Sequence, residues 1–311
     1  MRKSIFTIST FFALTSCVVY GQQEKLLTHF IYDKMTINPA STGLDQGFSA
    51  TMVYRDQWEN IHGAPNSMLL NLEANMNRFM PGGLGLSFYH DAIGPIKQNN
   101  LLLNYSLPIR IEGAGFLAVG VGVGMVNVGF DADWVPPQTL VDPLLPAKNG
   151  GTNVDFNAGL FWKGDQSYYA GVSATHLSQA DITNVNYKNA RNLFFIAGKT
   201  FHLNKPEDGT LGKRVDAQML MRSDMVKFSS ELNLRYLHNM LFYAGFTYRI
   251  SDGVGAMVGY HPVPKMTIGY SYDLTLNKLR DLSQGSHEIV MRYVYLLPPA
   301  PVQKSKHPRW L

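Results

Sequence analysis

Cysteine is almost missing from this chain: Cys17 is the one instance among 311 residues. It falls in an N-terminal stretch that reads as a leader, so the rest of the chain can build neither a disulfide nor a thiolate nucleophile. Charge is scarce as well. Asp, Glu, Lys and Arg together make 16%, against about 25% in ordinary soluble chains, too little to cover a water-facing surface. The formal charge of +4 is small and dispersed, which argues against nucleic acid as a partner. No stretch of about twenty consecutive apolar residues occurs, which excludes a membrane-spanning helix. The nine histidines show no HExxH or similar spacing, so no metal site and no other cofactor is read. Asp131, Asp133 and Asp142 share one segment but lack the spacing of an EF-hand.

What the chain does have is aromatics at 12%, with 16 Tyr, and 28 Gly, at a mean hydropathy of -0.09. A transmembrane β-barrel has this profile, because half of each strand faces lipid and half faces a polar lumen. The N-terminus reads as an export signal. Arg2 and Lys3 form a basic region, and Ile5 to Leu14 an apolar one too short to span as a helix. Val19-Tyr20-Gly21 before Gln22 is an ordinary cleavage site. Leu14-Thr15-Ser16-Cys17 also resembles a lipobox, which would leave Cys17 lipidated. Residues 1–21 as a signal peptide is the preferred reading, since a barrel needs no lipid anchor. An exported chain without helices that sits in a membrane has to close its sheet.

Period-two alternation runs through the chain. Between Lys265 and Tyr295, Met266, Ile268, Tyr270 and Tyr272 share one face, opposite Thr267, Gly269, Ser271 and Asp273. After a polar loop, Ile289, Met291, Tyr293 and Tyr295 share a face opposite Glu288 and Arg292. The same reading gives strands at about 47–56, 66–76, 82–90, 97–111, 115–130, 153–163, 167–176, 191–203, 212–222, 225–237, 240–250, 253–261, 265–276 and 286–296. That is an even number, about 14, as in bacterial single-chain barrels. In the fifth, Val119, Val121, Val123 and Met125 oppose Gly120, Gly122 and Gly124. A wall of glycine implies something packed closely against the inner face. The longest connections, 131–152, 177–190 and 277–285, all follow odd-numbered strands. Glu112-Gly113-Ala114, Gly164-Asp165-Gln166 and His238-Asn239 follow even ones and are tight. Outer-membrane barrels show this asymmetry, with short turns on the periplasmic side. The expected organisation is a lead-in at 22–46, a candidate for packing in the lumen, with Asn38-Pro39-Ala40 and Gly43 marking a turn before the first strand. An antiparallel transmembrane barrel follows over 47–296. A Pro-rich tail at 297–311, with Lys304, Lys306 and Arg309, is placed in the periplasm.

Several segments, in order, resemble a known family. They are Asn38-Pro39-Ala40 with Gly43; Tyr54-Arg55-Asp56-Gln57-Trp58; Gly63-Ala64-Pro65; Gly83-Leu84-Gly85-Leu86 leading to Asp91-Ala92-Ile93-Gly94; Gly171-Val172-Ser173 with His176-Leu177; and Gly269-Tyr270-Ser271-Tyr272-Asp273 with Gly285-Ser286-His287-Glu288-Ile289. The set is similar to the PorP/SprF outer-membrane proteins of the type IX secretion system and spans about 22–296. The resemblance implies a non-enzymatic barrel in the outer membrane of a Gram-negative bacterium. It implies a role in secretion or surface anchoring of a large adhesin with a C-terminal sorting domain, of the gliding-motility type. Its implied partners are that adhesin, type IX components including periplasmic ones, and outer-membrane lipid. The tail beyond residue 296 departs from barrels that stop at their last aromatic.

The candidate partner-binding or rim residues are Arg55, Gln57, Trp58, Gly63, Ala64, Pro65, Asp91, His176, Asp273, His287 and Glu288. Each has a structural reading beside it. Arg55 is read as a lumenal ion pair or a clamp on the lead-in, and Trp58 as part of an aromatic girdle. Gly63-Ala64-Pro65 belong to a loop that could form a rigid external platform. Ser286, His287 and Glu288 are consecutive, so in a strand His287 points away from its neighbours and no relay forms among them. Asp273 with His287 or Glu288 is read instead as pinning a hairpin at one rim. The competing functions are passive transport of small or hydrophobic solutes, an outer-membrane lipid hydrolase, and a soluble secreted β-sandwich.

Overall fold

The computed structural model describes residues 25–45, 47–131, 148–165, 167–182, 187–204, 212–239, 241–250 and 252–296. The stretch expected to be a signal peptide, with its two cleavage readings, Asp133, Asp142 and the tail at 297–311 lie outside these residues.

Fourteen antiparallel strands close into a barrel. They are β1 (Phe48–Asp56), β2 (Asn66–Asn75), β3 (Gly83–Ile93), β4 (Ile96–Ile111), β5 (Gly115–Phe130), β6 (Asn149–Gly164) and β7 (Tyr168–Thr175), then β10 (Asn192–His202), β11 (Arg214–Ser223), β12 (Phe228–His238), β13 (Phe242–Arg249), β14 (Gly253–Val263), β15 (Met266–Thr275) and β16 (Ser286–Tyr295). Every strand pairs with its neighbour in the chain except at the seam, where β1 lies on β16 from Phe48↔Tyr295 to Asp56↔His287. β8 (Asp181–Ile182) and β9 (Tyr187–Lys188) form a small separate ladder between β7 and β10. That ladder, the start of β6 at Asn149 and the end of β3 at Ile93 are not evident from alternation. Gly150 and Gly151 read as loop, yet they pair with Gly129 and Val128.

The alternation resolves into an outer apolar face and an inner polar one. Val121 and Met125 are each 56% exposed on the outer surface, while Gly120 and Gly122, on either side of Val121, are buried. In β15, Ile268 and Tyr270 are exposed and Thr267, Ser271 and Asp273 are buried. This is the reverse of a soluble core, and it fits lipid outside and polar groups within. The strand ends that border the connections 131–148 and 176–191 lie at one end with 57–65 and 276–285, and those that border 112–114, 165–167, 239–241 and 264–265 at the other. The short-turn end is the periplasmic one. Connections 94–95, 224–227 and 250–252 are short on the outer side too, and 203–213 is the longest on the periplasmic side.

Residues 25–45 do not precede the barrel; they fill it. A 3-10 turn (Phe30–Tyr32), a short helix α1 (Lys34–Ile37) and a second 3-10 turn (Pro39–Ser41) are buried in the lumen. The segment begins near the outer end, where Arg222 of β11 donates to the Lys25 carbonyl, and descends to Asp45 at the periplasmic end, within reach of Lys163. Asn38-Pro39-Ala40 is therefore an inner docking turn. Asn38 caps it by accepting from the Ala40 amide at 3.0 Å, and its Nδ2 donates to the carbonyls of Leu160 and Val172 at 2.9 and 3.1 Å. Ser106 and Ser173 donate to the Thr42 and Ile37 carbonyls at 2.5 and 2.6 Å. Phe30, Ile37 and Ala40 pack with Ala118, Phe161, Phe194, Ile196 and Leu220.

Glycine at the inner wall is what lets this segment in. A Cβ on Gly120 would lie 2.1 Å from the Ala40 nitrogen, one on Gly159 2.2 Å from Asn38 Oδ1, and one on Gly85 2.1 Å from Met35 Sδ. The first clash is with backbone and cannot be relieved by a rotamer change. Gly120→Val is expected to leave the barrel closed, with its compact heat-modifiable band on gels, but to displace the segment. Trypsin should then cleave after Lys34, which the parent protein protects. Equal protection in the variant would show that Gly120 is not what seats the segment.

Candidate functional site

Strand alternation places Arg55, Asp216, Glu231, Arg235, Arg249, Asp273 and Glu288 on the lumen side, and the inserted segment fills much of the space there. Buried charges then need partners close by, or each costs several kcal/mol. Near the outer end, Arg55 (β1), Arg249 (β13), Asp273 (β15) and Glu288 (β16) converge on Thr28 and His29. The Thr28 hydroxyl donates to Asp273 Oδ2 at 2.6 Å and accepts from Arg249 Nη2 at 2.7 Å and Arg55 Nη1 at 3.1 Å. Arg55 Nη2 lies 2.7 Å from Asp273 and its Nη1 3.1 Å from Glu288. The amides of Thr28 and His29 donate to the two oxygens of Glu288 at 2.8 and 2.7 Å. His29 bridges onward, with Nδ1 2.8 Å from Glu288 and Nε2 3.1 Å from the Tyr243 hydroxyl. Arg249 also reaches Glu231 at 3.0 Å.

Three residues singled out in the sequence, Arg55, Asp273 and Glu288, thus meet in one cluster. Arg55 clamps the lead-in segment. Asp273 and Glu288 are joined through Arg55 and Thr28. His287 is on the opposite face of β16, 2.7 Å from the Tyr270 hydroxyl and 3.0 Å from Glu59. His287 therefore takes no part in pinning Asp273, and it is turned away from Ser286 and Glu288.

Asp91 and His176 belong to a second group around an outer lumenal cavity of about 70 Å³. Asp91 accepts from Ser67 at 2.5 Å. His176, in a left-handed conformation (φ 54°), contacts Asp155 at 2.6 Å, and Ser178 donates to the same carboxylate at 2.9 Å. Asp131 forms ion pairs with Lys97 and Lys148. Among the described residues no cluster of three or more His, Cys, Asp or Glu is arranged to hold a metal ion.

The remaining candidates form the outer rim. Gln57 donates its amide to the Pro65 carbonyl at 3.0 Å, closing loop 57–65 on itself. Gly94 donates to Gly63 at 2.9 Å, and Ala64 to Ile61 at 3.0 Å. Glu59 exchanges two backbone hydrogen bonds with loop 276–285, donating to Gly285 at 2.8 Å and accepting from Gln284 at 3.1 Å. The Trp58 amide donates to Ser286 Oγ at 3.1 Å. Loop 57–65 is therefore tied to loop 94–95 on one side and, across the β1–β16 seam, to loop 276–285 on the other, and Trp58 sits half-buried in the seam tie, above the strands.

Residues 19–293 match the family described as type IX secretion system membrane protein PorP/SprF. The chain belongs to the PorP/SprF family. It is a multi-pass β-barrel of the outer membrane. Among solved structures, the toluene transporter TbuX of Ralstonia pickettii is similar to this PorP/SprF protein at 12% identity and a TM-score of 0.50, covering 85% of this chain and 93% of that one. Omp33 of Acinetobacter baumannii aligns at 7% identity and a TM-score of 0.49, covering 82% and 100%. At such identities the likeness concerns the fold alone. A search of curated proteins finds no match.

Sequence reasoning missed Thr28 and His29, because nothing local marks a Thr-His pair as the partner of carboxylates roughly 250 positions away. Arg249, Glu231, Arg235 and Asp216 of this PorP/SprF barrel did carry a mark, as charges at inward strand positions. Glu288→Ala leaves two amides, His29 and Arg55 without their acceptor, and the expected loss is about 3–5 kcal/mol. Thr28→Val is expected to lose about 1–3 kcal/mol. Unfolding of the detergent-refolded protein in urea measures both. A Thr28→Val, Asp273→Asn cycle should show coupling above about 1 kcal/mol; additivity would mean the hydroxyl is not the hub of the cluster.

Proposed function

We propose that this PorP/SprF protein is a non-enzymatic docking barrel, which helps secrete or anchors a large adhesin bearing a C-terminal sorting domain. The observation that carries the reading is the division between a filled lumen and a stiffened outer rim. Residues 25–45 occupy the space a solute would cross, while loops 57–65, 94–95 and 276–285 are held to one another by backbone hydrogen bonds. A surface that is already ordered loses little entropy on binding, so a rigid rim suits a protein partner. Gln57, Trp58, Gly63, Ala64, Pro65 and His287 are the proposed contact region. Arg55, Asp273 and Glu288 hold the inner segment beneath it. Periplasmic type IX components are proposed as further partners at the opposite end.

Passive transport is the second reading, and TbuX is itself described as a toluene transporter. For this chain it would require the inner segment to leave or shift, against the cluster at Thr28 and the clamps at Asn38.

The test is a detergent pull-down of the tagged protein from its native host. A large sorting-domain protein is expected at near-equal amount, and Trp58→Ala with Glu59→Lys is expected to lower its recovery roughly tenfold with the barrel level in the membrane unchanged. If deleting the gene leaves every sorting-domain protein on the cell surface in normal amount, the docking reading fails.

A further inference from the structure

At the periplasmic end, below the inserted segment, the lumen opens into a vestibule of about 470 Å³. This lies within the range of ligand sites, roughly 300–1,000 Å³. Its lining is rich in cations: Lys34 from α1, Lys163 from β6, Arg214 from β11, Arg235 from β12 and Arg292 from β16. Three carboxylates share the space, Asp45, Glu73 and Asp216. Two are taken up by close pairs, Asp45 with Lys163 at 2.8 Å and Asp216 with Arg235 at 2.8 Å. Glu73 accepts from the Gly43 amide. That leaves Arg214 and Arg292 with only loose ion pairs, and Lys34 with none, among the described residues. Arg214 is 3.6 Å and Arg292 3.9 Å from the carboxylates nearest them, and Lys34 lies over the Tyr169 ring at 4.7 Å.

The second observation is a set of orphaned polar atoms. Among the described residues, three donors, the Nε atoms of Arg214 and Arg235 and the Tyr169 hydroxyl, and one acceptor, Oε1 of Gln218, are buried without a hydrogen-bond partner, and all four residues line the vestibule. Arg235 is 3% and Gln218 7% exposed. The two guanidinium Nε–H groups and the hydroxyl are unmet donors, and beside loosely paired cations they form a cradle for anionic oxygen. From these residues we infer that the vestibule binds an acidic polypeptide segment entering from the periplasm.

The position of the site decides the source. Its walls are inward strand positions and the inner segment, so lipid headgroups, which lie outside the barrel wall, do not reach it. Tyr32, Phe161, Tyr168 and Tyr169 add aromatic faces, which suit the carbon body of a peptide rather than a bare ion. The inference is independent of the adhesin reading, because it concerns the opposite mouth and holds whichever protein supplies the segment.

The test uses the full chain in detergent micelles with fluorescein-labelled hexaglutamate, and hexaglutamine as control, followed by fluorescence anisotropy. The parent protein should bind hexaglutamate and not hexaglutamine, more weakly as salt rises. Arg214→Gln, at a strand end, should weaken binding about tenfold, and Arg214→Glu further; Arg292→Gln should act alike where its heat-modifiable band shows a closed barrel. Lys97→Gln, on the outer rim, should change nothing. Binding of hexaglutamine as tight as that of hexaglutamate would overturn the inference. So would an unchanged affinity in both Arg214 variants, or binding of inorganic phosphate without binding of hexaglutamate.

Discussion

The structure depends on the pairing of charges that a lipid-facing wall has no other place to put. Strand geometry sends alternate side chains to opposite faces. With lipid on one side, Arg55, Arg235, Arg249, Glu231, Asp273 and Glu288 all fall on the other, where each is under 5% exposed. A wide barrel would leave such groups to water. Here the chain's own residues 25–45 take the water's place, so the cluster has to be completed by that segment. Thr28 and His29 do so with one hydroxyl, two amides and one imidazole. The inner segment is in this sense part of the barrel's electrostatics as much as a filler of its lumen.

Packing and electrostatics impose separate conditions on the same segment. The charge cluster fixes its outer end; Asn38, Thr42 and the glycine wall fix its inner part. Gly120, Gly159 and Gly171 occupy neighbouring strands, and all three are approached by residues 38–40. A short polar turn with a proline at its first position brings one side-chain amide, that of Asn38, to two strand carbonyls. Neither anchor would place the other unaided, since a helix of four residues has little stability of its own.

How much of this could be read in the residues follows from range. Alternation is a local property, and it located all fourteen barrel strands and the apolar faces of β5, β15 and β16. The glycines of β5 signalled a close inner neighbour, because a missing side chain repeated at one face has few other uses. The identity of that neighbour was not legible. Thr28 meets Asp273 across 245 positions and Glu288 across 260, and no spacing rule connects them. Asn38-Pro39-Ala40 reads as a turn in either setting, and only the fold puts it inside the lumen. Among the rim residues, Gln57, Trp58 and Gly63-Ala64-Pro65 could be assigned to one loop, but the bond from Glu59 to Gly285 depends on closure at the seam and that from Gly94 to Gly63 on how neighbouring loops meet over β2 and β3.

The two mouths of the barrel then differ in kind. The outer one is tied by backbone hydrogen bonds whose donors and acceptors are satisfied within the chain, which leaves side-chain shape to discriminate partners. Among the described residues, the periplasmic one leaves the Nε atoms of Arg214 and Arg235 without a hydrogen-bond partner and Arg214 and Arg292 only loosely paired, a state that costs stability unless a ligand relieves it. Polar groups held unpaired in this way carry binding energy that is released only when matching charge arrives. The segment between the two mouths touches both: Lys25 lines the outer cavity, and Lys34 and Asp45 line the inner one. A load on the periplasmic vestibule therefore bears on the same twenty-one residues that complete the charge cluster under the rim.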